Sequence, residues 1–159
     1  MEPSCTAALR HDLPRLVDSA LARQVAGGVR TVAEVLTTAI DEGRWSAPDL
    51  AGTEVVAQPH CHQHAVMSWA ADEALLARTG ATVTRLGGCC GLAGNFGVEL
   101  GHYEVSVKIA EQQLLPAIDA AGKDAVVPAD GFSCQTQIAD LSERTGMHTV
   151  ELLARVSPR

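Results

Sequence analysis

From Thr53 onward the chain alternates two hydrophobic periods, and this alternation constrains its fold more than any other feature. Thr53-Glu54-Val55-Val56-Ala57-Gln58 is a short apolar run of strand character that stops at Pro59. Gln63 to Thr79 is alanine-rich with helical spacing, and Gly80 stands where a helix C-terminal cap belongs. Ala81-Thr82-Val83-Thr84-Arg85-Leu86 is a second strand, enriched in β-branched residues. A glycine-rich segment, 87–97, follows. Helical spacing returns from His102 to Ala121, where Pro116 is expected to kink or split it. Asp124 to Pro128 is a third strand and 129–132 a loop. Ser133 is a candidate cap for a helix reaching about Arg144, and Thr149 to Val156 forms a last short one. Strand and helix in turn predict an α/β fold: a small parallel sheet with flanking helices.

Upstream, residues 1–10 read as irregular. Residues 12–42 read as helical, with one stripe at Leu13, Leu16, Val17, Ala20 and Leu21 and another at Val32, Val35, Leu36, Ala39 and Ile40. A break is expected at Gly27-Gly28, and 45–52 is a connector. The expected organisation is an N-terminal helical segment, 1–52, ahead of an α/β domain, 53–159.

In an open parallel sheet the strand-to-helix turns gather at the carboxyl edge, where such folds bind ligands. Here those turns carry the cysteines: Cys61 in Pro59-His60-Cys61-His62-Gln63-His64, Cys89 and Cys90 in Gly87-Gly88-Cys89-Cys90-Gly91, and Cys134 in Asp130-Gly131-Phe132-Ser133-Cys134. The fifth, Cys5, follows Glu2-Pro3-Ser4. A free thiol that serves only as a small hydrophobe belongs in apolar runs, and none of these lies in one. Cysteine-bearing loops at one edge of one sheet are arranged as metal ligands are.

Composition narrows the setting. The 159 residues carry a net charge of −7 and no Lys/Arg cluster, which argues against a nucleic-acid partner. No apolar stretch approaches the ~20 residues of a bilayer span. Acidic Glu2 and Asp12 without an apolar segment between them do not resemble a signal peptide, so the expected setting is cytoplasmic and reducing. There an odd count of five cysteines points to metal binding or catalysis rather than disulfides.

Thiolates select zinc, copper(I) or iron–sulfur clusters over hard cations. The separations (56 residues from Cys5 to Cys61, 28 from Cys61 to Cys89, 44 from Cys90 to Cys134) match neither a zinc knuckle nor the compact run of bacterial ferredoxins. Adjacent cysteines strain to serve one tetrahedral zinc, yet readily contact different irons of a cluster. An iron–sulfur centre, a zinc site and a redox-active Cys89–Cys90 dithiol all remain open on these grounds.

The set His60-Cys61-His62, Cys89-Cys90-Gly91-Leu92-Ala93-Gly94-Asn95-Phe96-Gly97 and Ala129-Asp130-Gly131-Phe132-Ser133-Cys134 resembles the cysteine-rich CCG domain. That domain occurs in heterodisulfide reductase, in anaerobic glycerol-3-phosphate dehydrogenase and in the iron–sulfur component of glycolate oxidase. The likeness is strongest to the C-terminal part of FAD-linked oxidase/iron–sulfur oxidoreductases of the D-2-hydroxyglutarate dehydrogenase type. Glu2-Pro3-Ser4-Cys5, Gly101-His102-Tyr103-Glu104-Val105-Ser106 and Leu114-Leu115-Pro116-Ala117 share it.

The resemblance implies a 4Fe–4S-type cluster, cubane or noncubane, held by Cys5, Cys61, Cys89, Cys90 and Cys134, relaying electrons from a flavin-linked oxidation. Where the family pattern ends Cys-x-x-Cys, this chain reads Cys134-Gln135-Thr136-Gln137, with Gln137 in place of the second cysteine. The FAD-binding domain and the ferredoxin-like segment of the family are absent from these residues. The resemblance therefore implies a truncated or split form whose FAD resides on a partner domain or subunit, with 1–52 the end of a preceding unit.

Several residues have plainer readings. His60, His62 and His64 either tune the centre from beside Cys61 or satisfy backbone groups at a helix start. A Cys61–His nucleophilic pair lacks an orienting third group. The 87–97 segment is neither Gly-x-Gly-x-x-Gly nor a P-loop, so its glycines serve backbone approach or positive φ. Glu99, His102, Tyr103 and Glu104 read as a solvated helix start. Trp45 and Trp69 read as core or interface contacts.

Overall fold

The fold is built on the strand β1 (Glu54–Ala57), which pairs in parallel with β2 (Thr82–Arg85) from Glu54↔Thr82 to Ala57↔Arg85. The computed structural model describes residues 2–156, so residues 157–159 of the expected domain lie outside the described residues. On the other flank of β1 runs extended chain at 125–129. The Val126 amide donates to the Glu54 carbonyl and the Val56 amide to the Val126 carbonyl, and the Gln58 amide donates to the Pro128 carbonyl, each at 2.9 Å. Beyond it, Met147 exchanges hydrogen bonds with Val127 and Ala129. The α/β reading with a small parallel sheet and flanking helices holds. The third strand, expected over 124–128, is reduced to the bridges Val55↔Val126 and Pro128↔Met147. Pro128 has no N–H for the rung that would run to the Val56 carbonyl, so the ladder is interrupted there before the Gln58 amide meets the Pro128 carbonyl.

β1 is buried on both faces, as a central parallel strand should be. Val56 faces a cluster with Leu86, Leu92, Ala110, Leu114, Ile118 and Ile138, drawn from helices α6 (Tyr103–Ala110), α7 (Leu114–Ala120) and α8 (Phe132–Leu141). Val55 and Ala57 face the other way, onto Leu50, Trp69, Leu76, Met147 and Leu152, with α5 (Ala70–Ala77) and α9 (Thr149–Val156) above them. Each such Val, Leu or Ile contributes about 1.5–3 kcal/mol on burial. β2 is an edge strand of Thr and Arg, mostly exposed.

The N-terminal part comprises α1 (Pro3–Ala7), a π-helical turn (Ala8–Asp12), α2 (Leu13–Leu16), α3 (Ala20–Gly28) and α4 (Val32–Asp41). Residues 3–10 are thus helical rather than irregular: Glu2 caps the first turn by accepting from the Ser4 amide at 2.8 Å, with Pro3 at its start. The breaks fall at 17–19 and 29–31, because Ser19 and Thr31 cap the following helices and Gly27-Gly28 merely ends α3. Thr31 and Glu34 form a capping box. Arg10 forks onto Glu34 at 2.6 and 3.1 Å and also donates to the Val29 carbonyl. Ala33, Leu36, Ile40 and Trp45 pack on Leu75 and Leu153, which seats α4 on α5 and α9.

Three further helix boundaries differ from expectation. The 63–79 helix is interrupted at Ser68, whose φ of +72° turns the chain and delivers Trp69 into the core. The 102–121 helix breaks at 111–113, so that Pro116 falls in the first turn of α7, where an amide has no intrahelical acceptor. Gly131, not Ser133, caps α8, which ends at Leu141 where Ser142 turns extended.

Candidate metal centre

Four sulfurs arrive together at the carboxyl edge of the sheet. Pro59 ends β1, and Cys61 enters the helical turn 61–62, which widens into π-helix at Gln63–Met67. β2 leads through Gly87-Gly88 to Cys89 and Cys90 in an irregular loop, and the 125–129 segment leads to Cys134 in the first turn of α8. Cys61 interacts with Cys89, Cys89 with Cys90, and Cys90 with Cys134, in one continuous chain of thiols. Cys90 and Cys134 are buried, Cys61 and Cys89 half-buried, and none is in a disulfide. Cys5 stands outside these contacts, exposed on α1.

Within the group, Cys89 is the thiol whose pKa is lowered. Hydrogen bonds from the Cys61 and Cys90 thiols lower its pKa, and the Gly91 amide, 3.3 Å from its Sγ, adds to them against the effect of burial. The partners move the other way. Cys61 is raised by its hydrogen bond to Cys89 and by burial, and Cys90 by its hydrogen bonds to Cys134 and Cys89 and by burial. The Leu92 amide acts to lower Cys90, and the His62 amide, which donates to His60 Nδ1, acts in the same sense on Cys61. Amides directed at sulfur stabilise thiolates and, in metal centres, set their potential.

The histidines divide. His60 is buried, and its Nδ1 accepts from the His62 amide at 3.2 Å. Its Nε2 lies 3.7 Å from Glu2 Oε1, tying α1 to the Cys61 turn. Burial lowers the His60 pKa, with Glu2 acting against it. The His60 and His62 rings stack with centroids 5.2 Å apart. The satisfied backbone group favours the plainer reading for His60, yet the side-chain ligand atoms of His60, Cys61 and His62 also lie within 4.8 Å of one another.

Two glycines are required here. Gly91 has φ +96°, and a Cβ on it would lie 2.2 Å from the Ser106 carbonyl oxygen. A Cβ on Gly131 would lie 2.2 Å from His60 Cδ2. Ser106 is held by Gln137, whose Nε2 donates to its Oγ at 2.9 Å. Gln137, one turn beyond Cys134 and buried, thus clamps α8 to α6 behind the loop. Ser133 has a similar role: its Oγ accepts from the Gly94 amide at 3.0 Å.

Sequence reasoning passed over Gln63 and its neighbours. Gln63 Oε1 accepts from the His60 amide, while its Nε2 donates to Asp130 at 3.1 Å and to Asp72 at 3.5 Å. Asp130 also accepts from the Thr149 amide. Asp72 is 4% exposed, and burial, with Asp130 and Glu34 nearby, pushes its pKa up to about 7. These groups line a cavity of about 50 Å³ between the N-terminal helices and the α/β body. The only sequence signal was a polar residue in each strand-following turn.

Two curated proteins share part of this chain. D-2-hydroxyglutarate dehydrogenase of Pseudomonas putida is 35% identical over 88 residues, which is 55% of this chain and 8% of that protein. D-2-hydroxyglutarate dehydrogenase of Escherichia coli is 35% identical over 106 residues, 65% of this chain and 10% of that protein. The chain therefore matches only about a tenth or less of the length of these relatives. No protein-family profile matches it, and neither does any solved structure.

Proposed function

We propose that the chain is an iron–sulfur electron-transfer module of an FAD-linked oxidoreductase of the D-2-hydroxyglutarate dehydrogenase type. The observation that carries this reading is the convergence of Cys61, Cys89, Cys90 and Cys134, with the Gly91 amide donating to Cys89 Sγ. Similarity to two D-2-hydroxyglutarate dehydrogenases supports it. The donor set fits a 4Fe–4S-type cluster: four soft ligands, one adjacent pair and a half-buried approach. When bound, such a cluster supplies one-electron relay. The chain's own residues hold it and limit water, with Cys90 and Cys134 buried behind Leu92 and Ile138 and the Gly91 and Leu92 amides countering thiolate charge.

In this reading Cys5, exposed on α1, is the dispensable candidate, and FAD and a ferredoxin-like segment reside on a partner domain or subunit. Residues 1–52 are the end of a preceding unit that closes onto the module through α4, and the setting is cytoplasmic. Among the described residues no helix is long and apolar enough to cross a membrane.

Anaerobic purification tests the proposal. Iron and acid-labile sulfide in comparable amounts, with thiolate-to-iron charge-transfer absorption, support it. Stoichiometric zinc without iron would instead select a second reading, a zinc-binding interaction domain, which the grouping of His60, Cys61 and His62 favours.

A further inference from the structure

The Gly87-Gly88 turn that delivers Cys89 and Cys90 is gripped by two glutamines. Gln58, just past the end of β1, donates from Nε2 to the Gly88 carbonyl at 2.9 Å and to the Pro59 carbonyl at 3.0 Å. Gln113, the residue before α7, accepts from the Gly87 amide on its Oε1 at 3.1 Å. A Cβ on Gly88 would come within 3.2 Å of the Gln113 amide, so the turn and Gln113 fit closely.

Gln58 is 2% exposed, and its Oε1 has no hydrogen-bond partner. An orphaned buried acceptor costs about 1–3 kcal/mol. Rotating the amide would not relieve this, because it would set oxygen against two carbonyls. The side chain therefore gives up one acceptor in order to present two donors, and both bonds go to backbone that frames the thiols: Pro59 before the Cys61 turn, and Gly88 before Cys89. A residue serving the core alone would be apolar at this position.

We propose that Gln58 and Gln113 are positioning residues that hold the Gly87-Gly88 turn and so preset the Cys89–Cys90 pair for soft-metal capture. The inference deepens the metal-centre reading and rests on it for the identity of the metal. The holding of the pair is testable without iron.

Phenylarsine oxide, which closes a ring on two adjacent thiols and releases its oxygen as water with their protons, probes the full metal-free chain. Gln58→Met keeps the buried volume and removes both donors. The expected result is about tenfold weaker arsenical binding, the lower end of the loss seen when groups that orient metal ligands are removed. After anaerobic loading with iron and sulfide, the electron paramagnetic resonance spectrum should also change, while circular dichroism stays native. Gln113→Met, at an exposed position, should shift both readouts in the same direction by less, and it serves as the test if Gln58→Met fails to fold. Folded variants with wild-type arsenical binding and an unchanged spectrum overturn the proposal. If wild-type protein captures the arsenical but takes up no iron, the iron–sulfur reading falls, and the arsenical arm alone decides the clamp.

Discussion

The turn 60–63 feeds two buried polar clusters that are satisfied by opposite means. On the thiol side, each sulfur is near another sulfur or a backbone amide, and Cys89 is the thiol whose pKa is lowered. On the carboxyl side, Gln63 Nε2 donates to both Asp72 and Asp130, and Asp72 holds its proton into the neutral range. Soft, polarizable thiols tolerate mutual contact, and under the proposed function a cation would complete them. Two neighbouring carboxyls resist ionising together. Under the proposed function the contrast is between a cluster that binds and one that is structural, and four measurements break or sharpen it.

The largest effect is expected from the thiols themselves. Cys89→Ser combined with Cys90→Ser should abolish stoichiometric iron after anaerobic reconstitution, whereas Cys5→Ser should leave the iron content unchanged. Metal analysis of the three proteins side by side reads this. An equal loss in Cys5→Ser would place Cys5 in the centre and undo the four-sulfur description.

Next is the backbone that frames the thiols. Gly91→Ala combines a left-handed φ with a methyl group 2.2 Å from the Ser106 carbonyl oxygen. A cost of about 3 kcal/mol or more is expected in denaturant melts. Gly27→Ala is the control. It sits in α3 with nothing within 4 Å of a new Cβ, and should stabilise by up to about 1 kcal/mol.

On the carboxyl side, Gln63→Leu removes the donor shared by Asp72 and Asp130 and the acceptor of the His60 amide. The orphaned groups should cost about 2–3 kcal/mol, read as a shift of the denaturation midpoint at constant slope. A variant within about 0.5 kcal/mol of wild type, the range of an ordinary surface change, would show that Gln63 is not what reconciles the two acids.

How legible these clusters were in the sequence differs in an instructive way. The strand runs 53–58 and 81–86 carry their own period, so β1, β2 and the carboxyl-edge placement of Cys61, Cys89-Cys90 and Cys134 could be read directly. The third strand could be read only in part, because a missing Pro128 amide decides whether a ladder closes. Helix ends were displaced at Ser68, Gln113 and Gly131, where tertiary packing of Trp69 and His60 overrides local propensity. Gln58, Gln63 and Gln113 carried no signal of their roles, and Gln137 was marked only as the residue replacing a cysteine. A glutamine's role depends on which backbone groups another segment brings within hydrogen-bonding reach, and no local pattern encodes that. Cys5 was the converse case, placed among the ligands by resemblance and found exposed on α1.

The smallest effect has the sharpest sign. Asp72 titrates near 7 in the folded chain against an ordinary aspartate value of 3.8, because burial and the neighbouring Asp130 and Glu34 disfavour its charge. The cavity beside it is also lined by Arg30 and His148. Below about pH 4 the acid is protonated folded or unfolded, and it contributes no pH dependence. Between about pH 4 and 7 the unfolded chain ionises it while the folded chain does not, so stability falls as pH rises through this window and levels off above it. Asp72→Asn removes the titration but keeps an acceptor for Gln63. The variant should therefore gain on wild type as pH rises, by roughly 2 kcal/mol between about pH 5 and 8. Thermal melts of both proteins at the two pH values measure the difference of differences, in which titrations shared by both chains cancel. A gain that is equal at both would mean that Asp72 is already ionised in the fold, and the carboxyl cluster would then carry paired negative charge, unlike the thiol cluster, where only Cys89 is lowered.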